Sequence, residues 1–210
     1  MGHETQITQH VEAVRPARPH ESRALQAALG AAFFDDPVFG WLVGGPRRQG
    51  RLERYFALQL AHALADGCAW TCDGLQGAAL YMPPDRWRVP PRSLAVNGRR
   101  YAGVFRERLP RAVGLLAAIE RRHLRDPHYY FSYIGVSPEA QGKGLGSRLM
   151  GPGLQRCDAE GLPAYLEASS ERNAALYERL GFRCVEVLRF AGSPPLRLMT
   201  RPPRPHSRAA

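Results

Sequence analysis

Six residues, Gln141-Gly142-Lys143-Gly144-Leu145-Gly146, have the composition of an anion cradle. They follow an apolar, aromatic run that reads as a strand, Tyr129 to Val136, and lead into a segment that reads as a helix, about 145–160. A glycine-rich turn between strand and helix points backbone N–H groups at a phosphate. The helix N-terminus adds roughly half a positive charge. Glycines at 142, 144 and 146 let the main chain approach an anion without a Cβ in the way. Lys143, the only lysine in the chain, sits in the cradle. The spacing excludes a Walker A loop, which needs Gly-Lys followed by Ser or Thr, and the dinucleotide Gly-x-Gly-x-x-Gly. Taken alone, a short glycine pattern is also compatible with a flexible connector.

Further residues carry chemistry. Asn173 and Tyr177 are four apart on a segment that reads as a helix (173–180), so they share a face. A phenol, with a pKa of about 10, is protonated at neutral pH and can donate to a leaving group. Spacing alone equally fits Tyr177 as a core aromatic beside Leu176 and Leu180. Glu167 ends a predicted strand (164–168) and reads either as a proton acceptor or as a surface carboxylate. Asp35 and Asp36 precede Pro37, where a predicted helix, Glu21 to Phe34, must stop. They are turn residues or a trap for a cation. Alternation along 129–136 puts Tyr130, Ser132 and Ile134 on one face and Tyr129, Phe131 and Tyr133 on the other. Trp41, Tyr55, Trp87 and Tyr101 fit packing roles singly and an aromatic pocket jointly. His62, His123 and His128 read as surface or structural residues, with His128 nearest the site.

The elements that must position these groups follow from periodicity. A strand at Val11 to Ala17 precedes the helix 21–34. A short helix, Val38 to Val43, and a long one, Arg47 to Ala65, come next. Cys68 to Thr71 and Gly77 to Met82 flank Asp73-Gly74, a hairpin signal. Residues 90–97 read as irregular, and Pro110 splits two helices, Arg99 to Arg108 and Arg111 to Leu124. Strands at 183–190 and 195–200 close the chain. The residues from 201 onward are Pro/Arg-rich and expected to be a disordered tail. The order is mixed α/β in one domain, 1–200.

At 210 residues and 44% apolar content the chain can bury a core. No run approaches the roughly 20 apolar residues of a membrane span, and no signal segment is visible, so a cytoplasmic protein without a membrane partner is expected. Cysteines 68, 72, 157 and 184 lack zinc spacing, and no metal site is expected. The formal charge of +10 fits an anionic cofactor, nucleic acid or an arginine-rich solvated surface.

The neighbours of the cradle narrow its meaning. Ile134-Gly135-Val136-Ser137-Pro138 followed by Gln141-x-x-Gly-x-Gly resembles the acyl-CoA pyrophosphate loop of the GCN5-related N-acetyltransferase (GNAT) superfamily. Leu162 to Glu167, and Arg172-Asn173 followed by Tyr177 to Phe182, fall where that family has its next strand and helix. Within the superfamily, residues 128–188 are most similar to the puromycin N-acetyltransferases. The resemblance implies a twisted, mostly antiparallel sheet whose central strands, here 129–136 and 164–168, splay apart. It implies acetyl-CoA as cofactor, held by Gln141, Gly142, Lys143, Gly144, Leu145, Gly146 and Ser147, by the backbone of Ile134, Gly135 and Val136, and by Asn173 and Tyr177. An N–H at 134–136 is the natural donor to a thioester carbonyl as it becomes an oxyanion.

The resemblance also implies that Tyr177 is the acid toward the leaving thiolate. Relatives often carry a carboxylate or histidine where this chain has Tyr130 or Ser132, so either a water-relayed base or an amine already partly neutral is expected, with Glu167 the candidate base, acting directly or through a water. Asp35, Asp36, Tyr130 and Ser132 are the expected substrate contacts. The expected partner is a small-molecule amine, an aminonucleoside-type antibiotic in particular, with nucleic acid not expected and the chain a monomer or homodimer. Two other readings remain open: acetylation of a protein amine, and a non-catalytic acyl-CoA sensor or nucleic-acid-binding protein.

Overall fold

The computed structural model describes residues 13–88 and 91–204. Strand β1 (Val14–Pro16) is followed by helices α1 (Ser22–Ala32), α2 (Pro37–Leu42) and α3 (Arg48–Ala65). Strands β2 (Ala69–Cys72) and β3 (Gly77–Met82) form the hairpin, and helices α4 (Pro91–Phe105) and α5 (Leu109–Arg122) come next. Then come β4 (Tyr129–Val136), α6 (Leu145–Glu160), β5 (Ala164–Ala168), α7 (Glu171–Arg179), β6 (Arg183–Leu188) and β7 (Leu196–Arg201). Residues 11 and 12 of the expected first strand, and residues 1–10 and 205–210, lie outside the described residues.

The seven strands form one sheet in the order β1-β2-β3-β4-β5-β7-β6. Every pairing is antiparallel except β4 with β5. That parallel pair is matched only at Tyr129–Ala164 and Tyr130–Tyr165. Beyond those residues the two central strands diverge, and the backbone groups of β4 that face β5 have no strand partner. The expected splay is present.

Both faces of the sheet are covered, so β3 is apolar throughout rather than alternating. All six residues of β3 are buried. On one face Leu80 and Met82 pack with Leu25, Leu29, Leu52 and Phe56 from α1 and α3. On the other, Tyr81 and Phe131 pack with Met150 and Leu154 of α6 and with Phe182.

Gly135 allows α1 to lie against β4. A Cβ there would come within 2.7 Å of Leu29 and 3.0 Å of Phe33.

Four expectations about elements are corrected. The alternation along β4 does not run through. Leu80 opposes Tyr133 but Tyr81 opposes Phe131, which leaves Ser132 as an extra residue, a β-bulge. The bulge reverses the facing of the residues beyond it. Tyr133 packs with Tyr130 on the α1/α3 face, and Ile134 joins the face of Phe131.

Helix α4 starts at Pro91, inside the stretch expected to be irregular, and Pro110 lies in the first turn of α5 rather than between two helices. Proline at the start of a helix removes only an N–H that would be unpaired anyway.

Arg201, expected to head a tail, is the last residue of β7. It is 3% exposed and holds Asp158 of α6 through two 2.8 Å bonds.

Candidate active site

A cleft of about 640 Å³ opens where β4 and β5 part. One wall is the turn from β4 into α6. Gly142 and Gly144 have φ of +79° and +75°, a left-handed conformation that a β-branched residue resists. A Cβ added at either would meet no atom within 4 Å, so both positions face open space. Gly144 caps α6 with no side-chain cap, and its N-terminal N–H groups point into the same space. The Gln141 amide donates to Val136 O at 3.0 Å and ties the turn back to the strand. Ile134, Gly135, Val136, Gln141, Gly142, Gly144, Leu145, Gly146 and Ser147 all line the cleft. Lys143 is exposed and outside the lining.

The opposite wall is α7 with the loop before it. Ser170 caps this helix by accepting from the Asn173 N–H at 3.2 Å. One helix face then presents Asn173, Leu176 and Tyr177 to the cleft, with Arg172 and Arg179 beside them. The two arginines add positive charge to an anion-sized space. Sequence reasoning passed over them, although their seven-residue spacing puts them on one face. Tyr177 is 6% exposed, packs on Phe182 at 6.0 Å between ring centroids, and lines the cleft as well. The core and site readings of this residue are therefore compatible. Burial, with the Asp36 charge nearby, pushes its phenol well above the usual tyrosine value.

The third side is the loop between α1 and α2. Phe33, Asp35, Asp36 and Pro37 line the cleft, and Asp35 is exposed. Asp36 Oδ1 accepts from Val38 N and Phe39 N, both at 2.9 Å, so it is the N-cap of α2. The Ser169 hydroxyl donates to Asp36 Oδ2, and Asn173 Nδ2 donates to Ser169 Oγ at 3.4 Å. Asp36 is thus a helix cap, a cleft residue and the link between this loop and α7. Burial raises its carboxyl pKa above the ordinary value, against the hydrogen bonds that lower it.

Glu167, Tyr130 and Ser132 are not in the cleft lining. The Ser132 hydroxyl donates to Leu80 O at 3.1 Å across the bulge. The Tyr130 hydroxyl donates to Glu167 Oε2 at 2.8 Å. Glu167 is not a surface carboxylate: its side chain is 8% exposed, on the face of the sheet carrying α1 to α5. Burial pushes its pKa up to about 7, partly offset by the hydroxyl of Tyr130 and that of Tyr165, which lies against the carboxylate without hydrogen-bond geometry.

His123 and His128, expected to be structural or surface residues, are both buried in this cluster. Their Nε2 atoms are 2.9 Å apart, and His123 Nδ1 is 3.8 Å from Glu167 Oε1. No periodicity signals this cluster, because its members come from the connection between α5 and β4, from β4 and from β5. Tyr55, Tyr101 and Tyr133 form an aromatic group below the bulge, and Tyr55 and Tyr133 share a hydroxyl–hydroxyl bond. Trp41 packs on Phe190, and Trp87 stacks on His123.

The cleft residues fit an acyl-CoA. An uncapped helix N-terminus behind two open glycines suits a pyrophosphate, and unpaired strand backbone suits an extended amide-bearing arm.

Comparison with known proteins agrees. Residues 70–182 match the family model described as Acetyltransferase (GNAT) family, a span that runs from β2 through the cradle to the end of α7. An uncharacterized N-acetyltransferase of Schizosaccharomyces pombe is 33% identical over 201 residues, 87% of this chain and 80% of the yeast protein. The crystal structure of a Corynebacterium glutamicum protein, histone acetyltransferase HPA2 and related acetyltransferase, superposes with a TM-score of 0.68 at 27% identity, covering 93% of this chain and 98% of that one. A Drosophila melanogaster polyamine N-acetyltransferase has the same fold, with a TM-score of 0.64 at 23% identity over 90% of this chain and 97% of its own. A splayed parallel pair, a glycine turn capping the next helix and a near full-length match to an N-acetyltransferase converge on one assignment: this chain belongs to the GNAT acetyltransferase family, whose members use acetyl-CoA.

Proposed function

We propose that the chain binds acetyl-CoA in the cleft and passes the acetyl group to the amine of a small molecule by direct transfer in a ternary complex. Aminonucleoside-type amines are the first acceptor class to test, on the likeness of residues 128–188 to puromycin N-acetyltransferases. The observation that carries the reading is the cleft itself. It joins the uncapped N-terminus of α6, the Tyr177 phenol and the Asp35-Asp36 carboxylates within about 640 Å³, the size of a small-molecule site.

The cofactor supplies an activated acetyl thioester. The turn 142–147 holds its phosphates, with Arg172 and Arg179 as flanking charges and Asn173 on the same wall. Unpaired β4 backbone at 134–136 binds the arm and offers an N–H where negative charge develops. Tyr177 donates to the leaving sulfur. Asp35 and Asp36 draw a cationic acceptor toward the cleft mouth.

The amine must lose a proton, and Glu167 is the carboxylate poised near neutrality to take it. Because neither Glu167 nor its hydrogen-bond donor Tyr130 is in the lining, the proton reaches Glu167 through a bridging water.

The test is CoA thiol release from acetyl-CoA with puromycin, small amines, polyamines and peptides, repeated across pH with Glu167→Gln. Release with small amines, and an acid limb near pH 7 that Glu167→Gln removes, is the expected result. Turnover with peptides alone would replace the small-molecule reading, and tight acetyl-CoA binding without turnover would mark a sensor.

A further inference from the structure

Three polar atoms with no hydrogen-bond partner lie buried together on the face of the sheet carrying α1 to α5: Glu167 Oε1, His123 Nδ1 and the Tyr165 hydroxyl. Such atoms cost free energy unless something satisfies them. The two histidines determine what His123 Nδ1 is. His128 Nδ1 is 2.7 Å from Asp126 O, a carbonyl, which can only accept. His128 Nδ1 must therefore carry the hydrogen, and in the neutral ring its Nε2 is an acceptor. That Nε2 is 2.9 Å from His123 Nε2, which must then be the donor. His123 Nδ1 is left as a bare lone pair, 3.8 Å from Glu167 Oε1.

Both rings are held neutral. Burial and the neighbouring His128 push His123 down to about 3, with Arg88 and Arg125 acting the same way. Burial also lowers His128, against the opposing pull of the Asp126 carbonyl, Asp85 and Asp126. Trp87 stacks on His123 at 3.7 Å between centroids and 18° between planes, so the ring cannot swing away.

We propose that His123 and His128 are positioning residues whose locked tautomers aim a lone pair at the Glu167 carboxyl, so that the carboxyl gains a hydrogen-bond acceptor at the moment it takes a proton. This rests on the reading of Glu167 as the base. The ionised carboxylate gains nothing from the lone pair. Once Oε1 is protonated, its O–H donates to His123 Nδ1 after a closing movement of about 1 Å. Oε2 keeps the Tyr130 hydrogen bond throughout. The pair therefore favours the protonated acid over the carboxylate and makes Glu167 a stronger base than burial alone would. A proton relay onward through the imidazoles is disfavoured, because His123 binds a proton far more weakly than Glu167. The other groups facing the carboxyl are Tyr165 and Tyr133, both phenols whose pKa burial raises.

The test is NMR on the full chain, reading imidazole ¹⁵N for the His123 tautomer and side-chain ¹³C for the Glu167 titration. The wild-type spectrum is expected to show His123 neutral and protonated on Nε2. His128→Phe removes the acceptor for that N–H, so His123 turns to the Nδ1–H form and donates to the carboxylate. Glu167 should then titrate about one pH unit lower, a tenfold loss of proton affinity. His128→Gln, whose amide oxygen can accept from His123 Nε2–H, should restore the wild-type value.

A wild-type His123 protonated on Nδ1 overturns the proposal without any variant having to fold. Identical Glu167 titration in His128→Phe and His128→Gln overturns it too. A downward shift by NMR that the acid limb of kcat/KM follows supports both the positioning and the base. The same shift with an unmoved kcat/KM profile upholds the positioning and removes Glu167 as the base.

Discussion

At the scale of residues, burial suits the two opposite tasks that the proposed reaction needs. Tyr177 and Glu167 are both withdrawn from water, and in each case this favours the protonated form. For a phenol that already titrates near 10, the result is a hydroxyl that stays protonated across the working range. In the proposed reaction that hydroxyl would donate a hydrogen bond to the developing thiolate, with full transfer favourable only where the thiolate is desolvated too. For a carboxyl, the same shift brings the pKa to about 7, where accepting a proton is possible. Tyr177→Phe deletes the donor but keeps the ring against Phe182. We expect kcat to fall by about 10²-fold or more with acetyl-CoA affinity unchanged. Steady-state kinetics and calorimetric titration measure the two quantities, and an unchanged kcat would remove Tyr177 as the acid.

At the scale of elements, the site is made by two departures from regular structure. The parallel pairing of β4 and β5 ends after two residue pairs, and the bulge at Ser132 turns Tyr133 to one face and Ile134 to the other. The early end of that pairing leaves the β5-facing edge of 134–136 without a strand partner beside the N-terminus of α6. That terminus depends on the left-handed Gly144. Gly144→Val places a β-branched side chain at φ +75° and fills the open space in front of the first turn. The strain is about 1–2 kcal/mol. We expect CoA binding to weaken by at least tenfold in calorimetry while circular dichroism remains that of the folded protein. Undiminished binding would mean that the turn does not hold the phosphates.

At the scale of the whole molecule, the basic composition is partly used inside the structure. Arg201 grips Asp158 with both terminal nitrogens and donates from Nε to Leu180 O at 3.0 Å, so one side chain joins the end of β7 to α6 and to the C-cap of α7. The guanidinium holds the Asp158 carboxyl below its ordinary 3.8. A carboxylate with a depressed pKa stabilises the fold above its unfolded pKa and loses that contribution as pH falls through the folded value. Arg201→Ala should therefore cost about 2 kcal/mol at neutral pH and lower the melting temperature by roughly 4–8 °C. The difference from wild type should shrink once the pH drops below 3.8. Equal melting temperatures at neutral pH would show the pair to be energetically idle. No helix among the described residues is long and apolar enough to cross a membrane.

Much of this was legible in the chain because it is local. Periodicity placed α1, α3, α6 and the β2–β3 hairpin, since 3.6 and 2.0 residue repeats depend only on which face meets the core. The glycine turn after a strand was readable because left-handed backbone favours glycine. Pro91 and Pro110 misled, because the same residue that breaks a helix interior also opens a helix.

What depended on pairing with distant segments was not readable. The bulge at Ser132 exists only in register with β3, so strict alternation assigned Tyr133 and Ile134 to the wrong faces. Arg201 looked like tail because Asp158 lies 43 residues away. Glu167 meets Tyr130 across 37 residues and joins His123 from a different segment, and Asp36 meets Ser169 across 133 residues. The strand–turn–helix at 129–160 could be read from neighbouring residues, because a glycine-rich turn between two periodic segments is a local pattern. Which carboxylate is withdrawn from water, and what surrounds it, emerged with the folded chain, because desolvation is a property of assembled faces rather than of any one segment.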